Sequence, residues 1–316
     1  MKGIGKREAV ELLELEGPAV LELFARANRV RHERRGDVVA LCAIVNARSG
    51  HCGEDCAFCA QSGRARTRIA RYPLISVERM FAAARAASAH GATCFSIVTS
   101  GRQLGRSELR NVARAVERIA RELPLRPSAS LGLLGLRQLL QLRDAGLRRY
   151  HHNLETAESH FPHVCSTRRW SDGLRPLEAA RHVGLSICCG GIFGLGETRA
   201  QRVELLAALR DLEVDSVPLN FLHAIPGTRL ASEPPLPPLE ALKVVAVARL
   251  MLPDRELRVC GGRGHVLREL QSWIFAAGAD GVMVGGYLTT PGRAVATDLR
   301  MIRDAGMTLP ESVRGG

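Results

Sequence analysis

The feature that most restricts the fold of this chain is a regular alternation of short apolar runs with longer segments of helical period. Eight apolar runs occur between residues 38 and 289, and helical segments such as 76–92, 110–124, 136–146 and 239–252 lie between them. Strands that alternate with helices predict a parallel sheet, and eight such units over about 260 residues predict a closed (βα)8 barrel of TIM type. An open doubly wound sheet is the alternative, but it would normally carry a glycine-rich phosphate turn after its first strand.

The chain ends frame the predicted barrel. Residues 6–35 read as one or two amphipathic helices, so we expect a helical extension over residues 1–37 and a barrel with a short tail over 38–316. No run of 18 apolar residues occurs, which predicts no membrane span. The nine cysteines are an odd number in a large chain, and the acidic residues in its first apolar stretch predict no signal peptide. We therefore expect a cytoplasmic protein with reduced thiols.

The charge of the chain is strongly positive, with 44 Lys and Arg against 32 Asp and Glu and a formal net charge of +12. Nearly all of the basic residues are arginines, and they are scattered rather than gathered in blocks. We therefore expect no nucleic-acid partner, and interpret the charge as a surface suited to an acidic protein.

A loop after the first predicted strand carries the strongest chemical signal. Cys52, Cys56 and Cys59 have the spacing C-x3-C-x2-C, with no fourth cysteine nearby and no histidine placed to complete a tetrahedral zinc site. Three thiolates suit a four-iron cluster with one iron left open for an exogenous ligand. An iron–sulfur carrier is a non-enzymatic alternative, but a carrier needs an exposed cluster, whereas polar residues here follow several predicted strands.

The loop resembles the signature of the radical S-adenosylmethionine (SAM) superfamily, in which an aromatic residue, here Phe58, precedes the last cysteine. This resemblance implies a 4Fe-4S cluster, with SAM chelated at the open iron by its amine and carboxylate. It also implies reductive cleavage of SAM to a 5′-deoxyadenosyl radical, which abstracts hydrogen from a saturated carbon.

Further motifs along residues 20–300 resemble the biotin synthases: RANRVR, CGEDCAFCAQS, HHNLET, GGIFGLGET, SVPLNFL and YLTTPG. The resemblance implies sulfur insertion into dethiobiotin, with an auxiliary iron–sulfur cluster as the sulfur source. It also implies a flavodoxin or ferredoxin as reductant and a homodimer. A related radical SAM barrel without sulfur insertion, of the hydrogenase-maturation or methylornithine-synthase type, is the alternative.

The resemblance also suggests which residues bind the two small molecules. Asn153 and Glu155 lie two apart on the fourth predicted strand and so share a face. They suit the ribose of SAM, and the amide of Asn153 also suits the ureido ring of dethiobiotin. Further cofactor contacts are expected from Phe58, Gly190, Gly191 and Glu197. Further substrate contacts are expected from Asn220, Thr289 and Thr290, although a helix N-cap is an alternative for the threonines.

The auxiliary cluster is where the chain departs from the family. Ser96 and Ser128 stand at two positions where cysteines are usual, whereas Cys188 and Arg258 are kept. Strand parity places four cysteines of four strands on inward faces. They are Cys42, Cys94, Cys188 and Cys260. We expect these thiols to hold an auxiliary cluster of two-iron or four-iron type, with Cys165 as an alternative fourth ligand; the plainer interpretation is that they are small buried apolar residues.

Two smaller departures concern the ligands. His151 stands where the family often has Asn, and Asp172-Gly173 replaces a commoner Glu-Arg pair. The Glu-Arg pair of the family includes one possible partner of the carboxylate of SAM, and this partner is missing here. Arginines close by in the sequence could substitute for it: Arg168, Arg169 and Arg175.

Overall fold

A computed structural model describes residues 3–311 of the chain, in which nine strands form one parallel sheet. The strands are β1 (Ala40–Arg48), β2 (Cys94–Thr99), β3 (Arg126–Ser130), β4 (Arg149–His151), β5 (Ser186–Cys188), β6 (Gly191–Phe193), β7 (Ser216–Phe221), β8 (Glu256–Val259) and β9 (Gly281–Met283). Their order in the sheet is β5-β4-β3-β2-β1-β9-β8-β7-β6.

The sheet closes because β5 also pairs with β7, through Cys188 and Ser216. Strands β5 and β6 therefore share one of eight positions around the barrel. The predicted (βα)8 architecture is confirmed, but the prediction of one strand over residues 185–194 was wrong. That segment breaks at Cys189-Gly190 and resumes as β6 on the outer part of β7.

Helices cover the outside of the barrel. They are α1 (Lys6–Leu13), α2 (Ala19–Arg35), α3 (Val77–Ala89), α4 (Arg106–Glu122), α5 (Leu136–Asp144), α6 (Phe161–Val164), α7 (Leu174–His182), α8 (Arg199–Asp211), α9 (Pro238–Met251), α10 (Arg263–Leu267), α11 (Trp273–Ala276) and α12 (Val295–Asp304). Short 3-10 helices span Trp170–Gly173 and Arg268–Ser272. None of the helices described is both long and apolar enough to cross a membrane.

The two N-terminal helices pack onto the barrel rather than standing apart from it. Helix α1 contacts α8 and α9, and α2 contacts α9. Every residue of α9 from Ala241 to Met251 is buried, because the extension covers the side that would otherwise face solvent. One continuous apolar core therefore joins the extension to the barrel wall.

Candidate active site

A cavity of about 1380 Å³, including its open mouth, lies within the barrel and extends to the carboxyl ends of the strands. The cysteine loop between β1 and α3 forms one side of it, with Cys52, Cys56 and Cys59 among the lining residues. All three thiols are free and half-buried. The aromatic ring of Phe58 lines the same cavity and packs beside Leu195 and Leu222.

The shape of the cysteine loop is set by the segment around α6. The Asp55 carboxylate accepts hydrogen bonds from the backbone N–H groups of Ser166 and Thr167 at 2.9 and 3.2 Å. The Ala57 N–H donates to the Val164 carbonyl at 2.8 Å. The Arg229 guanidinium donates to both Asp55 O and Val164 O. Protein contacts on two sides therefore hold the loop that presents the three thiols.

Cys165 belongs to this loop contact and not to the barrel interior. Its thiol lies 3.3 Å from an Asp55 carboxylate oxygen and shares a hydrogen bond with Cys56, which raises the pKa of Cys56 and lowers the pKa of Cys165 to about 6. An auxiliary-ligand role for Cys165 stays a prediction, although its chain segment is bound to the first-cluster loop.

Asn153 and Glu155 both line the cavity, as their shared parity predicts. The chain leaves β-geometry after His151, and Glu155 has a φ of +70°, yet the two side chains still face the same space. The Asn153 side-chain oxygen accepts from Gly190 N–H at 3.1 Å. Burial raises the pKa of Glu155, opposed by the charges of Arg168 and His151.

Three residues expected to contact the cofactor make close contacts within the protein. A Cβ atom at Gly190 would lie 2.0 Å from the Pro218 carbonyl oxygen, and one at Gly191 would lie 2.6 Å from the Glu155 carbonyl oxygen. The Glu197 carboxylate accepts from the N–H groups of Gly194 and Leu195 and pairs with Arg202 at 2.7 Å. None of the three lines the cavity, and a cofactor role for them stays a prediction.

The predicted substrate residues are divided between two spaces. Asn220 lines the main cavity, but its amide already donates to Gly191 O at 3.0 Å and accepts from Gly261 N–H at 2.9 Å. Thr289 and Thr290 line a smaller side cavity whose walls include Phe58 and Asn220. A substrate role for the threonines therefore stays a prediction.

Tyr287 is a cavity residue that sequence reasoning missed. Its hydroxyl lies 3.4 Å from the Asn220 side-chain oxygen, and it lines both the main and the side cavity. It stands inside the YLTTPG motif, but the threonines beside it carry the more obvious anion-binding chemistry.

The interior cysteines follow the predicted parity. Cys42, Cys188 and Cys260 line the cavity, whereas Cys189 is fully buried in the apolar core outside the strands. Cys94 pairs with Cys42 in register between β1 and β2, and a hydrogen bond between their thiols raises the pKa of Cys42 and lowers the pKa of Cys94 to about 6. Among residues 3–311, no three His, Cys, Asp or Glu side chains converge on a site for a single metal ion.

Polar groups of strands β4 and β8 surround Cys188. His151 Nδ1 lies 3.2 Å from its sulfur, and an Arg258 nitrogen lies 3.5 Å away. Burial raises the pKa of Cys188, but the charges of His151 and Arg258 outweigh burial and lower it to about 7. Below it, Glu256 pairs with Arg258 at 2.8 Å and with Arg149 at 3.0 Å.

The positions where the family usually has cysteines carry a hydroxyl pair. Ser96 and Ser128 are buried, face the cavity and hydrogen-bond to each other at 3.4 Å. Hydroxyl groups are poor ligands for iron in a sulfide cluster, which is bound by thiolates. A two-iron site built in the usual way does not fit these residues.

The barrel and the cysteine loop define the class of the protein, and comparison with known proteins agrees. Residues 48–209 match the Radical SAM superfamily, and residues 218–308 match the Biotin and Thiamin Synthesis associated domain. The fold resembles that of methylornithine synthase (TM-score 0.85, 20% identity, 98% of this chain and 95% of that one). It also resembles an FeFe-hydrogenase maturase from Carboxydothermus hydrogenoformans (0.83, 18%, 99% and 78%). At these identities the likeness extends to the fold alone.

Sequence comparison is more specific. The chain is 52% identical to the biotin synthase of Geobacter sulfurreducens over 97% of its own length and 93% of the relative's. It is 50% identical to that of Trichlorobacter lovleyi over 98% and 93%. The chain belongs to the biotin synthase family, and this relationship favours biotin synthesis over the alternative radical SAM activities.

The residues present fit the two cofactors that the family implies. Three free thiols surround one side of the cavity, which matches the donors of a 4Fe-4S cluster with one open iron. The adjoining space has the carboxylate of Glu155 and the amide of Asn153 for the polar groups of SAM. Interior thiols at Cys42, Cys188 and Cys260 face the same space from the opposite side.

Proposed function

We propose that this biotin synthase takes the sulfur for dethiobiotin from an auxiliary cluster of four-iron type, held by cysteines other than the usual set. The proposed ligands are Cys42, Cys94, Cys188 and Cys260. The observation that supports it most is the placement of Cys188 beside Arg258, in the same cavity as the cysteine loop. Four thiols are enough for every corner of a cubane.

In this proposal, residues at one end of the cavity bind SAM, and residues at the other end bind the auxiliary cluster. When bound, the 4Fe-4S cluster supplies the electron that cleaves SAM. Asn153 and Glu155 would hold the ribose of SAM, and Asn220 would contact the substrate on the other side of the cavity. The buried walls exclude water from the radical. Arg258 places positive charge beside Cys188, which favours the thiolate form of the ligand.

Product analysis separates the two clusters. Anaerobic, reconstituted protein with dethiobiotin, SAM and a reductant should form biotin and 5′-deoxyadenosine. Cys52→Ala should abolish both products, whereas Cys188→Ala should retain 5′-deoxyadenosine and lose biotin. Cys189→Ala is the matched control, since that thiol faces the apolar core, and it should retain both. Biotin at normal yield from Cys188→Ala would contradict a ligand role for that cysteine.

Iron counting tests the nuclearity of the auxiliary cluster. In a variant with alanine at 52, 56 and 59, only auxiliary iron remains. A four-iron cluster gives about four irons per chain, and a two-iron cluster gives about two. In that background Cys42→Ala, Cys94→Ala and Cys260→Ala should each lower the iron content, while Cys165→Ala and Cys189→Ala should not. A content of about two irons would overturn the four-iron assignment.

The reductant, the oligomer and the compartment complete the proposal. Exposed arginines follow the cysteine loop at Arg64, Arg66, Arg68 and Arg71. This patch supports an acidic electron donor such as a flavodoxin or ferredoxin. A homodimer follows from the family resemblance, and sedimentation would test it. Nine free thiols and two oxygen-sensitive clusters are consistent with a reducing cytoplasm.

A further inference from the structure

Three side chains that line the main cavity have a buried polar atom without a partner within residues 3–311, namely Thr99, His152 and Arg168, and the last two lie together. Arg168 Nη1 and His152 Nε2 are shielded from solvent, and neither makes a hydrogen bond to any residue within 3–311. Both side chains line the cavity. Buried polar groups are normally satisfied, so two orphaned groups in one cavity indicate a ligand that satisfies them.

The two atoms face the same point. A Cβ atom at Gly173 would lie 3.5 Å from His152 Nε2 and 3.6 Å from Arg168 Nη1. Gly173 has ordinary helical geometry, with φ of −70°, so its backbone does not require glycine. The missing side chain instead leaves space between the imidazole and the guanidinium.

The chemistry of this space suits an anion. The guanidinium of Arg168 stacks over the Phe161 ring at 4.9 Å, and no carboxylate within residues 3–311 lies at ion-pair distance from it. The imidazole of His152 can donate a hydrogen bond from Nε2. Two donors then converge with no acceptor between them.

The position of this space indicates which anionic group of a bound ligand would occupy it. Arg168 lies close enough to Cys56 and Glu155 for its charge to act on both. It is thus at the cysteine-loop end, where the amino-acid end of SAM must lie to reach an open iron. The other arginines nearby do not reach it, because Arg169 is exposed and Arg175 is 80% exposed and pairs with Asp172.

We propose that Arg168 and His152 form the subsite for the methionyl carboxylate of SAM in this chain, in space that Gly173 leaves open. Arg168 supplies a charge-assisted hydrogen bond, and His152 supplies a second hydrogen bond. The inference rests on the radical SAM chemistry of the proposed function, but it does not depend on the auxiliary cluster.

A ligand that lacks the carboxylate tests this assignment. Reconstituted wild-type and Arg168→Gln proteins would be titrated anaerobically with SAM and with decarboxylated SAM, and binding followed by equilibrium dialysis. The variant should bind SAM roughly 10- to 100-fold more weakly. It should bind decarboxylated SAM as well as the wild type or better, because a positive charge near a cationic ligand has been removed. His152→Leu should give a smaller loss with the same selectivity.

Controls keep the result interpretable. Arg175→Gln removes an exposed arginine of the same region and should leave both affinities unchanged, and Arg168→Lys should retain part of the SAM affinity. Iron content and circular dichroism of each variant verify that the cluster and fold are intact. An equal loss for both ligands in Arg168→Gln would show a purely structural role and overturn the proposal. The measurement needs no turnover, so its failure is distinct from a failure to make biotin.

Discussion

At the scale of single residues, Cys188 and Cys189 show how strand parity separates two adjacent thiols. Cys188 faces the cavity beside a histidine and an arginine, whereas Cys189 faces the apolar core. Burial raises the pKa of Cys189 well above its ordinary value, and the neighbouring cations lower that of Cys188 to about 7. One of the pair is an anion near neutral pH, and the other is a small apolar side chain.

This difference predicts a pH-dependent alkylation of protein freed of iron by a chelator. The thiolate fraction of Cys188 grows as pH rises through its pKa, so iodoacetamide labelling should increase with a midpoint of about 7. Cys189 should stay unlabelled across the neutral range. His151→Asn removes one cationic partner and should move the midpoint upward. Peptide mass spectrometry gives both sites from one sample, and equal labelling of the two cysteines would contradict the assignment.

At the scale of elements, the break between β5 and β6 depends on close backbone contact. The segment after Cys189 crosses β7 so tightly that Gly190 has no room for a side chain against Pro218. Asn153 stabilises the crossing by accepting from Gly190 N–H. A cavity residue is therefore positioned by the same contact that bends the strand.

Substitution at this crossing should destabilise the barrel. A methyl group at Gly190 would lie 2.0 Å from a carbonyl oxygen that belongs to a buried strand, and the backbone must shift to accept it. We expect Gly190→Ala to lower the free energy of unfolding by about 2–4 kcal/mol. Urea denaturation measures this, with Gly5→Ala as the control, since no atom lies within 4 Å of its added Cβ. Equal stability of the two variants would contradict a steric origin for the break.

The sequence predicts the elements better than their irregularities. Period and parity were sufficient for the eight barrel positions and for the inward face of Cys188. The break at Gly190 escaped prediction because residues 185–194 form one apolar run, and the clash that splits it involves a residue 28 positions away. Glu197 shows why a turn carboxylate is hard to assign from sequence, since it resembles a ligand group until its N–H partners are known. Arg168 could not be distinguished from Arg169 and Arg175 without their exposures.

At the scale of the whole molecule, positive charge lies beside the cysteine loop. The chain carries a net charge of +12, and several of its exposed arginines lie just after the loop. Attraction of an acidic donor to such a surface is screened by salt. A small reductant has no docking surface, so it should respond much less.

Reduction kinetics should show this contrast. Raising the ionic strength should slow cluster reduction by a flavodoxin several-fold, while reduction by dithionite changes little. Replacing Arg64, Arg66 and Arg68 with glutamine should weaken the salt effect. The same replacement at Arg110 and Arg114 on α4 is the control and should leave the effect in place. Stopped-flow absorbance follows both reactions, and an unchanged salt effect in the loop variant would place the docking surface elsewhere.

Residues 164–167 and Arg229 fix the shape of the cysteine loop. This shape matters when the cluster at the loop has to be rebuilt. Backbone and side-chain groups outside the three thiols make these contacts. We therefore expect the loop to keep its arrangement when the first cluster is lost to oxygen, so that reassembly starts from a binding site that is already formed.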